Sequence, residues 1–163
     1  MSNYKQFLKT KSTKTGNGVI TTVKIPANMP IIEMKGDIFI DKPGHLDHAQ
    51  VLQVGPNTFL GPSGEVDDYI KHSCDPNCYL HVVGNRAILY SLYVIPANAE
   101  LTFDYSLTAN NEKEDWTMAC NCGSNQCRKE ISGFQHLSPE LQDEYKKKKM
   151  VPLYLTSTMI MKK

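Results

Sequence analysis

The chain has almost no charge excess. Its 18 Lys and Arg stand against 17 Asp and Glu, leaving a formal net charge of +1 over 163 residues. That argues against binding of nucleic acid through bulk positive charge and counts against a zinc-stabilised nucleic-acid binder, so no direct nucleic-acid partner is expected. The one dense basic run, residues 146–149, reads as the solvated end of a helix. No apolar stretch approaches the ~20 residues that cross a bilayer, and no membrane partner is expected. The first 14 residues are polar and lysine-bearing, without the apolar core of a secretion signal. The expectation is therefore an intracellular, reducing compartment, cytoplasmic or nuclear. Cysteines are few and odd in number, five in all. That count fits paired disulfides poorly and metal binding well.

What is present is mostly extended chain. Residues 19–25, 31–40, 79–83 and 87–94 are rich in β-branched side chains and bounded by turn formers, which predicts a mainly β protein. Gly84-Asn85, between the last two runs, predicts a tight hairpin turn because both residue types accept positive φ. Ile25-Pro26-Ala27-Asn28 returns as Ile95-Pro96-Ala97-Asn98, each copy between two apolar runs. Proline presets φ at the first turn position and asparagine accepts the left-handed one, so both copies should reverse the chain. Residues 43–64 read as loop, broken by Gly44, Gly55-Pro56 and Gly61-Pro62. One helix is expected near the end, with Ser138 as N-cap, Pro139 in the first helical position and residues 140–148 following. The apolar residues 151–160 should pack back on the protein. Tyr69, Tyr79, Tyr90 and Tyr93 lie in apolar runs and read as packing residues. A chain of this length is most simply one domain.

Chemistry concentrates in the cysteines. Cys120, Cys122 and Cys127 form a tight C-x-C-x4-C cluster. A structural zinc site takes four tetrahedral ligands, so three cysteines on one loop leave a vacancy. The best-placed segment to fill it is His72-Ser73-Cys74-Asp75-Pro76-Asn77-Cys78, where Cys74 and Cys78 compete. His81 and His136 are further donors in principle. A ligand from that segment would clamp the C-terminal part of the chain over a distant stretch and assemble a site from separated pieces.

Taken singly, the remaining motifs are weak. Gly16-Asn17-Gly18 can be a flexible loop, His72 a satisfied polar residue, and residues 101–105 an ordinary strand end. Their order is specific. A glycine pair is followed by Glu33-Met34-Lys35-Gly36-Asp37, then by the His72–Asn77 stretch, then by Glu100-Leu101-Thr102-Phe103-Asp104-Tyr105, then by the cysteine cluster. This succession resembles the SET-domain protein-lysine methyltransferases with a post-SET zinc motif, from residue 14 to about residue 128. The resemblance implies a SET fold: small β-sheets around a knot-like threaded C-terminal segment. It divides the chain into a SET domain (1–118), a zinc-binding post-SET segment (119–135) and a C-terminal helix and tail (136–163).

The same resemblance implies transfer of a methyl group from S-adenosylmethionine to the side-chain amine of a protein lysine, on a histone or another protein, with a structural Zn2+. Tyr105 matches the catalytic tyrosine, whose hydroxyl orients the amine and lines the channel. Gly16, Asn17, Gly18, Lys71, His72, Tyr105 and Asn121 match cofactor-binding positions. Cys74, Cys120, Cys122 and Cys127 match the zinc ligands, which decides the fourth place for Cys74. Asn77 is expected to satisfy buried backbone groups. Phe134 reads either as a channel-lining aromatic or as core. Glu100 reads as scaffold and Asp104 as a loop anchor.

Three residues depart from the family pattern. Lys71 stands where an asparagine is usual; it offers three donors and no acceptor, and is expected to point at the cofactor carboxylate. Met34 replaces a common tyrosine. Asp68 stands where an arginine is frequent and is expected to help hold its loop. These departures leave a second reading, a catalytically silent SET-like module that binds protein through the same groove.

Overall fold

In the computed structural model, which describes residues 4–109 and 116–160, the β-branched runs form short strands and the strands form small sheets. Residues 1–3 and 161–163, the outer ends of the divisions expected above, lie outside the described residues. In chain order the strands are β1 (Leu8–Thr13), β2 (Gly16–Thr21), β3 (Pro30–Glu33), β4 (Ile38–Ile40), β5 (Leu52–Gln53), β6 (Thr58–Leu60) and β7 (Lys71–His72). They continue as β8 (Cys78–Val83), β9 (Arg86–Ser91), β10 (Glu100–Phe103), β11 (Met118–Ala119) and β12 (Glu130–Ile131). The sheets have orders β1-β2-β10-β7, β3-β9-β8 and β4-β6-β5, and β11 pairs with β12. Of these pairs only β7 and β10 run parallel. The hairpin joining β8 to β9 turns on two residues, with Val83 opposite Arg86 and Gly84 at φ 60°.

The repeated tetrapeptide pairs with itself. Ile25 and Ile95 exchange both backbone hydrogen bonds, at 2.9 and 2.8 Å. Asn28 and Asn98 take the left-handed conformation, at φ 58° and 66°. The exchange extends outward: Thr21 N–H donates to Ala99 O while Asn98 N–H donates to Thr21 O, and Ser91 with Met29 and Asn28 repeats that pattern. Both isoleucines are fully buried in the main core beside Val19, Leu89 and Leu101. The two turns thus cross-brace the sheet that holds β2 and the sheet that holds β9.

Three elements differ from expectation. The run 31–40 is interrupted between β3 and β4, where Gly36 sits at φ 142° and the Gly61 carbonyl packs where a Cβ would stand. The loop-like stretch 43–64 contains β5 and β6; strands of two and three residues between turn formers show no periodicity, and β4 supplies their pairing partner. Tyr69 and Tyr93 are 44% and 52% exposed and are not packing residues, whereas Tyr79 and Tyr90 stack with centroids 5.7 Å apart.

Two helices close the chain, α1 (Pro139–Lys147) and α2 (Leu153–Ile160). Ser138 Oγ accepts the Leu141 N–H at 3.3 Å, so α1 begins on the predicted cap. Tyr145, Met150, Tyr154 and Leu155 from this segment join Leu107, Phe134 and Leu137 in a second apolar cluster. Among the described residues, no helix is long and apolar enough to cross a membrane.

Candidate active site and metal centre

Strand β7 runs into a segment that leaves the sheet, and the loop 120–127 folds onto that segment. Cys120 Sγ lies 3.7 Å from Cys74 Sγ and 3.7 Å from Cys127 Sγ. The donor atoms of His72, Cys74, Cys120 and Cys122 all lie within 4.8 Å of one another. Tetrahedral zinc with Zn–S bonds of about 2.3 Å sets its sulfurs about 3.8 Å apart. The two 3.7 Å separations therefore suit thiolates sharing one ion, while the set within 4.8 Å holds His72 in place of Cys127. The fold of the loop supports the cluster. Gly123 and Lys129 take positive φ, Cys120 N–H is held by Lys129 O at 2.9 Å, and Arg128 N–H points at Cys74 Sγ at 3.4 Å. Cys78, the rival fourth ligand, lies elsewhere. It is fully buried in β8, its Sγ donates to Asn77 Oδ1 at 3.4 Å, and burial pushes its thiol up to about 12.

His72 sits beside the thiols but its ring has another task. Nδ1 accepts the Tyr105 backbone N–H at 3.1 Å, which places the imidazole proton on Nε2, 3.2 Å from Cys74 Sγ. The ring is therefore placed to donate to the Cys74 sulfur, and burial depresses its pKa to about 4, keeping it neutral. It connects the cysteine cluster directly to the backbone of Tyr105.

Tyr105 opens a single 3-10 turn (Tyr105–Leu107) at the end of β10. Its ring packs on Phe103 and edge-on against His72, at centroid distances of 4.9 and 5.4 Å, and its hydroxyl donates to Ile70 O at 2.9 Å. Burial pushes the phenol up to about 12, so it is a protonated hydroxyl at neutral pH. Asp104, fully buried, anchors the turn as expected by accepting the Ser106 N–H at 3.0 Å. Arg128, next to the last cysteine, neutralises it with two hydrogen bonds of 2.7 and 2.8 Å. Sequence reasoning missed Arg128, although an arginine immediately after the cysteine motif was there to be read.

A cavity of about 640 Å³ opens on Tyr105, walled by Met34, Gln53, Phe103, Thr108 and Trp116 among others. Its lining does not include Gly16, Gly18, Lys71, His72 or Asn121, the residues matched to a cofactor. Asp67 and Asp68, which also line it, hold their own loop: Asp68 accepts Ser63 and Gly64 N–H, and Asp67 accepts Lys35 N–H. Phe134 is core, packed with Leu107 and Tyr145, and does not line the cavity.

In the glycine turn it is Gly18 that is close-packed. Lys71 Nζ donates to Thr13 Oγ1 at 2.6 Å and to Thr15 Oγ1 at 2.8 Å and forms an ion pair with Glu100 Oε1 at 2.9 Å. A Cβ on Gly18 would collide with the Glu100 carboxylate and the Lys71 stem. Lys71 therefore turns to protein partners, and Glu100 is its counter-ion as well as scaffold. Gly16, at φ 103°, faces open space, and Asn17 and Asn121 are exposed. Asn77 spans two backbone groups of β10, its Nδ2 donating to Glu100 O at 2.8 Å and its Oδ1 accepting Thr102 N–H at 3.0 Å.

Small sheets braced by turns, a cysteine cluster folded over β7 and a tyrosine at the end of β10 define a SET-type protein. Residues 16–106 match the SET domain family, and the chain belongs to that family. It is 30% identical over 132 residues to the histone-lysine N-methyltransferase trithorax of Drosophila virilis, covering 72% of this chain and 3% of that protein. It is 30% identical over 105 residues to an H3 lysine-4 specific histone-lysine N-methyltransferase of Saccharomyces cerevisiae, covering 61% of this chain and 9% of that one. The chain thus spans less than a tenth of these relatives. Among solved structures it is similar to KRYPTONITE in complex with mCHG DNA and SAH, with a TM-score of 0.61 and 25% identity over 76% of this chain and 28% of that one. The fold is also that of Arabidopsis thaliana SUVH6 in complex with SAM, with a TM-score of 0.62 and 21% identity over 76% of this chain and 32% of that one.

Proposed function

We propose that the protein transfers a methyl group from S-adenosylmethionine to the side-chain amine of a protein lysine, with a histone tail as the first substrate to test. The carrying observation is the place of Tyr105: its hydroxyl donates to Ile70 O at the wall of the 640 Å³ cavity, while its N–H is held by His72, the neighbour in β7 of Lys71, which packs against Gly18. Histone-directed relatives support the substrate class and, with it, work on chromatin.

When bound, S-adenosylmethionine supplies an electrophilic methyl on a sulfonium. The residues matched to it suit its chemistry. Gly16 leaves open space, and Lys71 is paired with Glu100 beside Gly18. Because Glu100 neutralises Lys71, the lysine adds no net repulsion against a sulfonium. Cys74, Cys120, Cys122 and Cys127 would hold a closed, structural zinc, with His72 and Arg128 N–H donating to the Cys74 sulfur.

The cavity side does the rest. A lysine amine attacks only when neutral; apolar walls such as Met34, Phe103 and Trp116 disfavour its ammonium form, while Asp67 and Asp68, which pull the other way, are engaged by backbone N–H groups. The Tyr105 hydroxyl and Ile70 carbonyl are polar atoms placed to orient the amine, and the protonated phenol acts through hydrogen bonding rather than as a phenolate base. In a labelled-methyl assay with zinc-loaded protein, histone H3 should take up label at lysine. Tyr105→Phe should lower turnover by about tenfold or more, the weight of one transition-state hydrogen bond. Absent incorporation together with absent cofactor binding by calorimetry would leave the silent protein-binding module, a reading to which Lys71, turned to Thr13, Thr15 and Glu100, lends its weight.

A further inference from the structure

Helices α1 and α2 lie outside the stretch that matches the SET domain family, yet each sends a buried tyrosine to a residue close to Tyr105. From α1, Tyr145 donates its hydroxyl to Asp104 Oδ2 at 2.8 Å. From α2, the Tyr154 hydroxyl stands 2.8 Å from the carbonyls of both Thr108 and Gln53. A phenol has one proton, so Tyr154 shares it between these two acceptors. Thr108 in turn binds Tyr105 O twice, through its N–H at 3.1 Å and its Oγ1 at 3.0 Å. The turn that carries Tyr105 is therefore gripped at both ends from the C-terminal segment. Gln53 and Thr108 also both line the cavity, so Tyr154 ties one part of its wall to another.

Packing alone does not ask for these hydroxyls. Both rings lie in the second apolar cluster with Leu107, Phe134 and Leu155, where phenylalanine would fill the space without burying a polar atom. A buried hydroxyl costs free energy unless paired, and here both are paired to the parts of the fold that frame the site.

We propose that Tyr154 is a positioning residue for methyl transfer. Its shared hydrogen bond holds Thr108 and Gln53 in register, so that Tyr105 and the cavity wall keep one geometry, and Tyr145 is its counterpart on the Asp104 side. The reference to methyl transfer rests on the function proposed above; the clamp rests on geometry alone.

Y154F and Y145F keep the rings and remove the hydroxyls. In hydrogen exchange read by mass spectrometry on the full zinc-loaded chain, Y154F should speed exchange about tenfold across residues 52–60 and 105–109, leaving residues 16–25 at the wild-type rate. Y145F should speed residues 104–107 and leave 52–60 unchanged. With an H3(1–15) peptide as substrate, Y154F should raise the peptide KM about fivefold with the S-adenosylmethionine KM unchanged, while Y145F should lower kcat with little effect on peptide KM. Exchange in Y154F that matches the wild type, or that rises evenly along the chain, overturns the proposal. So does an equal loss in both substrates' KM. If the wild type transfers no methyl group, the proposed function fails by itself, and the exchange pattern still decides whether the clamp exists.

Discussion

Asn77 shows what a single side chain does at this site. Its amide replaces ladder partners for β10 where the segment after β7 turns away, giving one donor to Glu100 O and one acceptor to Thr102 N–H. Asn77→Ala removes both, and two backbone groups deprived of partners at about 1–3 kcal/mol each predict a loss of roughly 3 kcal/mol in urea unfolding. Asn77→Asp sets a carboxylate oxygen against the Glu100 carbonyl, so at neutral pH it should be no more stable than alanine; an alanine variant as stable as the wild type would show that water replaces the amide. Lys71 teaches the complementary lesson. Its identity as a departure is plain in the sequence, but its partners come from the β1–β2 turn and from β10, brought together only by pairing of distant strands. A charge in a sequence has no address until the sheet is built.

At the scale of elements, pairing between β3 and β9 carries a charge-assisted link. Arg86 Nε and Nη2 donate to the Glu33 carboxylate at 2.7 and 3.1 Å, and this hydrogen bonding, with Lys35 beside it, holds the Glu33 carboxyl down at about 2. A carboxyl lowered in the folded state contributes stability above its unfolded pKa of about 4.3, and that share is lost as pH falls toward 2. Glu33→Gln should therefore be less stable than the wild type at pH 6, with the gap closing in thermal melts between pH 4 and pH 2. A gap that stays constant through that range would mean the pair contributes nothing as an ion pair. The strands themselves were legible, because β-branched runs between turn formers have few other uses. So were the two Ile-Pro-Ala-Asn turns, since asparagine at a left-handed position is a local preference. What was not legible is that the two turns bond to each other, or that residues 52–60 pair with β4. Both depend on contacts between segments far apart in the chain, where composition has no voice.

For the molecule as a whole, the cysteine loop is the point where distant parts meet. The family resemblance grouped Cys74 with Cys120, Cys122 and Cys127, and the 3.7 Å separations of Cys120 from Cys74 and from Cys127 suit sulfurs that share an ion. The connections outward were hidden, because they run through His72 and Arg128 rather than through the thiols alone. From Cys74, the His72 ring reaches the Tyr105 N–H; from Cys127, Arg128 reaches the buried Asp104 carboxylate. Metal loss should then act at a distance. Four thiolates left without an ion repel or protonate, the loop 120–127 loosens, and both connections to residues 104–105 slacken together, since binding and local folding are linked. Metal analysis of freshly prepared protein should find about one zinc per chain, as four thiolate ligands require. After removal by a chelator, hydrogen exchange should rise in residues 118–131 and in 103–108, while the β3-β9-β8 sheet, built on Leu80, Ala87 and Leu89, keeps its protection. Exchange around Tyr105 that stays at the holo level after the zinc is gone would show that the turn is held by its own packing and the helices, and that the metal serves only the loop that binds it.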